Sequence, residues 1–443
     1  ANGIAFVGDP QSVRSPLFRY GNQDFSAIDR TPGPQTDEYP SDCRVEDCLI
    51  TMTGRDEKQT APVHISMSHK IIVSHCSIYD VPRAGININE GTFGGHIIEY
   101  NDVFNTVLET GDHGSFNSWG RDRYWTPDIN ASVPEVVKDK SFPFLDMLGP
   151  NIIRNNRIRC DHGWDIDLDD GSSWYRIYNN LLLHGGLKMR EGFDRIATNN
   201  IIINNGLHPH VWYPNSGDVF ARNIVFKAYS PALMNKGIAA NGKWGKSLDA
   251  NFYVASEETM RKFMVNGCDS NSIAGDAEFV NPGLGDYGLK KDSKAHLIGF
   301  VPFDMHAFGV KKTSLKVIAK TPIFPEVNTV ANADQLINGR KYSLWAGAKL
   351  WSPRGEEFSA FGIDFSSTGV AIEGVTANSL LYQLGFRNGD LIQQVDGSVV
   401  RLITDLQRHI RQNRNKNQHL FKLIRNQQQI ELAVSTSLPD IPN

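Results

Sequence analysis

The sequence predicts a mainly β protein, a right-handed parallel β-helix (solenoid) followed by a small α+β domain. Three observations lead there. A short block centred on asparagine recurs along the first half, helical periodicity is almost absent around it, and the pattern changes after about residue 276.

The blocks are Ser74-His75-Cys76-Ser77-Ile78, Tyr100-Asn101-Asp102-Val103-Phe104, Arg154-Asn155-Asn156-Arg157-Ile158, Tyr178-Asn179-Asn180-Leu181-Leu182, Thr198-Asn199-Asn200-Ile201-Ile202 and Ala221-Arg222-Asn223-Ile224-Val225. They start 26, 54, 24, 20 and 23 residues apart. That period, with short β-branched runs and an amide at one turn, is what a parallel β-helix requires, because stacked Asn side chains satisfy one another and the turn backbone. Leucine-rich repeats share the period, but their recurring Leu frame is missing. The long step is one coil carrying an insertion, roughly Trp119 to Gly149, of the kind that overhangs a binding face. The Pro/Gly-rich stretch from Asp276 to Asp304 is expected to close the solenoid, giving a β-helix over 1–310, a linker over 311–339 and a further domain over 340–437. The first residues read like the middle of a strand-and-turn fold, so the expectation is that an N-terminal portion is missing.

Bulk properties narrow the function. The net charge of −4 and the absence of a Lys/Arg-rich run argue against nucleic acid. No apolar run approaches ~18 residues, so no membrane span is expected; no charged n-region precedes an apolar h-region, so the expectation is that any export signal lies outside this sequence. The five cysteines form no CxxC pair, which argues against structural zinc; a Cys43–Cys48 bridge and two free thiols are both open.

The most informative segment is Trp164-Asp165-Ile166-Asp167-Leu168-Asp169-Asp170-Gly171. On a strand, alternation sends Ile166 and Leu168 to the core and Asp165, Asp167 and Asp169 outward, where close like charges raise at least one pKa. Stacking coils ~4.8 Å apart sets Glu109-Thr110-Gly111-Asp112-His113 and Ile86-Asn87-Ile88-Asn89 below it, and Lys188 with Arg190, then His208-Pro209-His210-Val211-Trp212, above it. Amides, acids, bases, His and Trp on one face suggest a carbohydrate groove. Trp119, Trp164, Trp174 and Trp212 are candidates for stacking on sugar rings.

Residues ~60–310 resemble the β-helix proteins of glycoside hydrolase family 141 in Glu109–Asp112, Asp165–Ser173, Gly186–Phe193 and His208–Trp212. The resemblance implies removal of a deoxy or pentose sugar, fucosidase or xylanase in type, by a pair of aspartates, with Asp112 and Asp165/Asp167 as the matching positions. The expectation is therefore an exported, secreted or periplasmic glycosidase. Asp167 and Asp165 are the first candidates for acid and base or nucleophile, with Asp112 the rival. Sugar contacts would come from Trp119, Arg121, Asp122, His162, Asp169, Asp170, Lys188, Arg190, Glu191, His208, His210 and Trp212. A pair along one strand, ~6.6–7 Å apart, predicts inversion, and a pair across coils retention; the acids on the single strand favour inversion.

Three alternatives stay open. A uronate lyase would use Lys188 or Arg190 as base, a binding solenoid would need no chemistry, and an acidic turn would merely be neutralised by these two cations. No cofactor is expected, although calcium at Asp165–Asp170 is possible. An EF-hand is excluded, since Asp170 stands where that loop needs Gly and Arg176 where it needs Glu. In the C-terminal unit, Gly385-Phe386-Arg387-Asn388-Gly389-Asp390-Leu391-Ile392 resembles the PDZ hallmark, which implies carboxylate capture by the Ala360–Ile363 loop beside a helix at Thr404–Arg411. A structural module without a peptide ligand is the alternative.

Overall fold

The computed structural model describes residues 1–14, 23–89, 93–233, 242–264, 266–331, 342–353, 355–363 and 367–442. They fall into two units, 1–337 and 338–443.

In the first unit each coil contributes one short strand to each of three sheets, of seven, eight and nine strands. Every neighbour within these sheets is parallel, as in a parallel β-helix. Alternation explains the filling. Ile88, Phe116, Ile166, Leu187 and Leu207 from the first sheet meet Ile98, Ile153, Ile177 and Phe220 from the second, and Ile78, Val103, Ile158, Leu182 and Ile202 from the third. Each such buried aliphatic contributes roughly 1.5–3 kcal/mol.

The asparagine blocks form the turn between the second and third sheets. Asn101 donates from Nδ2 to Asn156 Oδ1 (3.0 Å), and the relay continues through Asn180, Asn200, Asn223 and Asn251 at 2.9–3.2 Å. Each amide also takes the backbone N–H of the preceding rung's residue, as when Asn156 N–H donates to Asn180 Oδ1 (3.0 Å). The residue before each rung is left-handed, with φ of 52–59° at Tyr100, Asn155, Asn179, Asn199, Arg222 and Ala250, which turns the chain so that the amide points inward. Asn251 is a rung the sequence reading passed over. The ladder ends where Asn251 meets Asp269 and Ser272.

Asp276–Asp304 does not cap the coil end. Phe279, Tyr287, Ile298 and Phe300 lie over the outward apolar residues Leu181, Leu183, Ile201, Ile203 and Phe226 of the third sheet. Apolar residues on both faces of those strands demand such a lateral cover. The helix Glu257–Phe263 instead places Met260 and Phe263 in the central core. Nor does the stretch after 310 behave as a free linker up to residue 331. Val310 N–H bonds Ser77 Oγ (3.2 Å), Lys320 Nζ meets Asp80 (2.5 Å) and Asn328 N–H bonds Asn204 Oδ1 (2.8 Å). Residues 332–341, the end of the expected linker and the start of the expected domain, lie outside the described residues.

The insertion forms a helix, Ile129–Lys138, capped by Asp128, and a short turn at Phe142–Phe144. Its base is buried: Arg123 pairs with Asp146 (2.7 Å), and Tyr124 donates to the carbonyl of Gly171 (2.6 Å).

The second unit is an antiparallel sheet in the order Ser343–Trp345, Ala348–Trp351, Val370–Glu373, Leu391–Val395, His419–Arg425 and Gln428–Val434, with Ser398–Val399 pairing to Leu391–Val395. The expected helix runs from Ile403 to Gln412. Phe386 stands edge-on to Trp345 and Phe421 (5.1 and 5.0 Å), and Arg425 clamps Asp390 with two bonds (2.7 and 2.6 Å). Phe361 packs beside Trp351, and Gly362, at φ 70°, fits where a Cβ would meet Gln427.

Candidate functional site

The first sheet builds the site. Its register aligns Asn87, Asn117, Asp167, Lys188 and His208 in one outward column, and Asn89, Trp119 and Asp169 in a second, with Arg190 and His210 paired above. The expected order of amides, acids, bases and His is therefore present, but two local features rearrange its members.

The first is an irregular start to the strand. Asp165 and Ile166 both donate their N–H to the carbonyl of Gly186 (3.1 and 3.2 Å). Two donors on one acceptor mark a local break in the alternation, although the register with the neighbouring strand is kept. Trp164 is thereby brought to the outward face against Lys188, while Asp165 turns into the preceding turn. Its carboxylate accepts from Cys160 N–H (2.7 Å), His184 N–H (3.0 Å) and Gly186 N–H (3.1 Å). Burial lifts it to about 6 against the pull of those amides. Asp165 is thus a strut that organises a turn, not one of an outward pair with Asp167.

The second is a turn. Asp112 belongs to no strand; it sits just before Gly114–Trp119 with φ 59°, so Asn117, not Asp112, is the register partner of Asp167. The turn still delivers its carboxylate to the same place.

That place is the Lys188 ammonium. Lys188 is buried, and its Nζ lies 3.0 Å from Asp167 Oδ1, 3.1 Å from Asp169 Oδ1 and 4.0 Å from Asp112 Oδ1. It also stands 4.1 Å from the centre of the Trp164 ring. Arg190 Nε continues the array, 3.5 Å from Asp169, 3.3 Å from Asp170 and 3.2 Å from Glu191. From the insertion, Arg121 binds Asp170 (3.0 Å) and Trp125 Nε1 donates to Glu191 (2.8 Å). The insertion therefore overhangs this face. Trp119, at the edge, is flanked by the guanidinium groups of Arg83 (4.8 Å) and Arg121 (5.7 Å).

The carboxyls are pushed in different directions. Burial drives Asp167 well above the ordinary range, with Lys188 opposing and Asp169 and Asp112 reinforcing. Asp112 rises to about 7 through burial, against Lys188. Burial would raise Asp169 too, but Lys188 and Arg190 together hold it below the usual carboxylate value. Glu191 rises to about 7 through burial, and Lys188 is held firmly protonated by its three acidic neighbours despite burial. Asp167 is closed off, whereas Asp112 and Asp169 keep 26% and 20% of their side chains exposed. Those two form the reachable edge.

Not every expected contact is there. Trp212 is in the central core, its Nε1 donating to Met189 O (2.7 Å), because Val211 is left-handed (φ 47°) and reverses the parity after His210. Asp122 is buried beside Asp146 and Arg123 in the insertion base, away from Lys188. His162 is exposed in the turn before the Asp strand. Trp174 packs on Phe144 (5.7 Å), serving the insertion. His208 and His210 do face outward, edge-on to Trp164 (6.3 and 5.9 Å), and burial keeps His208 neutral. His113 comes close as well, held by Thr110 (3.2 Å) and depressed by burial and by Arg83.

Asn117, Arg83 and Trp125 escaped the sequence reading. A signal was present for the column: Asn87 and Asp167 each follow a ladder position, Cys76 and Asn156, by 11 residues, and Lys188 and His208 follow Asn180 and Asn200 by 8. Buried polar atoms lacking a hydrogen-bond partner concentrate here, among them Asp112 Oδ1, Asp167 Oδ2, Trp119 Nε1, Trp164 Nε1 and His208 Nδ1, which is unusual outside functional sites. Lys188 and Arg190 stand among the carboxylates where the possible calcium ion would have to lie. No protein-family model matches the chain, and neither does any curated protein.

Proposed function

We propose that the chain is a glycoside hydrolase in which Asp112 is the general acid and Asp169 the anionic partner. One observation carries this reading: the two carboxyls at the accessible edge share the Lys188 ammonium yet are driven apart, Asp112 to about 7 and Asp169 below its usual value. Pairs of acids separated in this way are how a fold keeps one proton donor and one anion at neutral pH. Asp112 gives its proton to the departing glycosidic oxygen as the C–O bond breaks. Asp169 either attacks the anomeric carbon or takes a proton from the attacking water. Two oxygens 4.0 and 3.1 Å from the same nitrogen are at most about 7.1 Å apart, a ceiling that covers both stereochemical outcomes. Asp167 is the buried carboxyl behind Lys188. Trp119, Arg121, Arg190, His208 and His210 are the proposed sugar contacts, in a groove for a fucosidase- or xylanase-type substrate.

Elimination is less well supported. A base needs a free lone pair, and an ammonium enclosed by carboxylates keeps its proton. The C-terminal unit is proposed to be PDZ-like on the strength of the Gly385–Ile392 segment.

The test is a panel of aryl glycosides differing in leaving group. Asp112→Asn is expected to lose ~10²–10⁴-fold on alkyl or sugar leaving groups and far less on dinitrophenyl glycosides, whose leaving group needs no proton. Asp169→Asn should fail on both. Equal losses for Asp112→Asn across the panel would contradict its role as the acid, and unsaturated uronate products would favour elimination.

A further inference from the structure

In the second unit, three side chains from three different elements converge on one oxygen. Asp396 follows the strand Leu391–Val395 in a tight turn (φ 50°), His409 lies in the last turn of the helix Ile403–Gln412, and His419 opens the strand His419–Arg425. Asp396 Oδ1 accepts the N–H of Leu420 (2.8 Å). Its Oδ2 is approached by His419 Nδ1 (2.9 Å), His409 Nε2 (3.0 Å) and Lys416 Nζ (2.8 Å). A carboxylate oxygen has about two lone-pair directions, so a third donor is one too many for the oxygen to satisfy well.

We propose that Asp396, His409 and His419 form a binding site for a zinc-type divalent cation, with Lys416 as the charge that occupies it in the metal-free protein. The three ligand atoms lie within 4.8 Å of one another, and they are the one group of this kind among the described residues. Two imidazoles and one carboxylate are a donor set that zinc prefers. Tetrahedral bonds of 2.0–2.1 Å need ligand-to-ligand edges of roughly 3.3 Å, so the 2.9 and 3.0 Å contacts must open by only a few tenths of an ångström. His419 is buried and Asp396 and His409 are nearly so, at 1%, 12% and 13% exposure, whereas Lys416 is 45% exposed and free to swing out. Departure of the ammonium leaves the fourth position to water. The Leu420 N–H on Oδ1 fixes the carboxylate, the outer support that metal ligands require. A bound ion would tie the helix to two strands of the sheet.

The experiment is calorimetric titration of the chelator-treated full chain with Zn²⁺ alone. One saturable site is expected, weakened about 100-fold or more by His409→Ala, a nearly buried but helix-end substitution, and likewise by Asp396→Asn. Lys416→Met should tighten binding about 10-fold, because it removes the competing charge and nothing else that holds the site. The same substitutions should abolish, or for Lys416→Met strengthen, the visible absorption of a tetrahedral Co²⁺ adduct. Zinc uptake that is indifferent to His409→Ala, or a Lys416→Met chain that binds no more tightly than the parent, would overturn the assignment. Neither readout depends on glycoside hydrolysis.

Discussion

Two columns of polar side chains run along this solenoid, and they behave oppositely. In the asparagine ladder every rung is neutral and doubly used: Asn180 accepts from the backbone and amide of Asn156 and donates to Asn200, Ile153 and Tyr178. In the outward columns of the first sheet, neutral Asn87, Asn117 and His208 flank the charged Lys188, Asp169 and Arg190, and several buried polar atoms keep spare hydrogen-bonding capacity. Both columns rest on the same inter-strand spacing of ~4.8 Å. Stacked amides complete one another at that spacing, whereas carboxylates gathered on one face cannot. The first arrangement stabilises the coil; the second stores charge that only a cation, a proton or a ligand relieves, and Lys188 supplies the cation.

Removing that cation should have the largest effect on stability. Lys188→Met strands Asp167 and Asp169 beside each other, and a loss of ~3–5 kcal/mol at neutral pH is expected from denaturant unfolding. The sign with pH follows. Without the ammonium both acids have folded pKa values above their unfolded ones, so the deficit grows as pH rises and shrinks toward pH 5. A pH-independent loss would mean that Lys188 acts by packing alone.

Breaking the other column should cost somewhat less. Asn180→Ala leaves buried neutral partners above and below, and because the smaller side chain lets them relax toward the low end of ~1–3 kcal/mol each, a loss of about 2–4 kcal/mol is expected with no pH dependence. Under the proposed function, its catalytic constants should stay close to those of the parent. A change larger than the stability loss explains would show that the columns are coupled.

The smallest effect sharpens the ladder itself. Ala250 holds φ 54° at the turn position where Asn155, Asn179 and Asn199, a residue type that tolerates the left-handed region, stand in other coils. Glycine adopts this conformation freely, so Ala250→Gly should be neutral or stabilising by up to ~1 kcal/mol in thermal unfolding, whereas glycine at most strand positions destabilises. A clear destabilisation would contradict the strain ascribed to these turns.

How much was legible in the sequence differs between the columns for the same reason. The ladder could be read because each rung is one residue type at one turn, repeated with little variation in coil length. The site could be read only in outline. Ile166 and Leu168 to the core, Lys188 and Arg190 above the acids, and His208 and His210 beyond them all follow from parity and the repeat. Asp165, Asp112 and Trp212 did not, because the shared acceptor at Asp165–Ile166, a turn before Gly114 and a left-handed Val211 each break parity locally. Parity carries no memory of such a break. Trp125 and Glu191 meet through the insertion, a contact separated by 66 residues that periodicity cannot supply.

The claim that Asp112 is the protonated acid is tested most directly by the dependence of kcat/KM on pH for the parent, Asp112→Asn and Glu191→Gln, on a glycoside with an unactivated leaving group. The parent should lose activity above pH about 7, where Asp112 gives up its proton. That alkaline limb should vanish with Asp112→Asn and persist with Glu191→Gln, although Glu191 is itself raised to about 7. A limb that survives Asp112→Asn, or disappears with Glu191→Gln, would contradict the account.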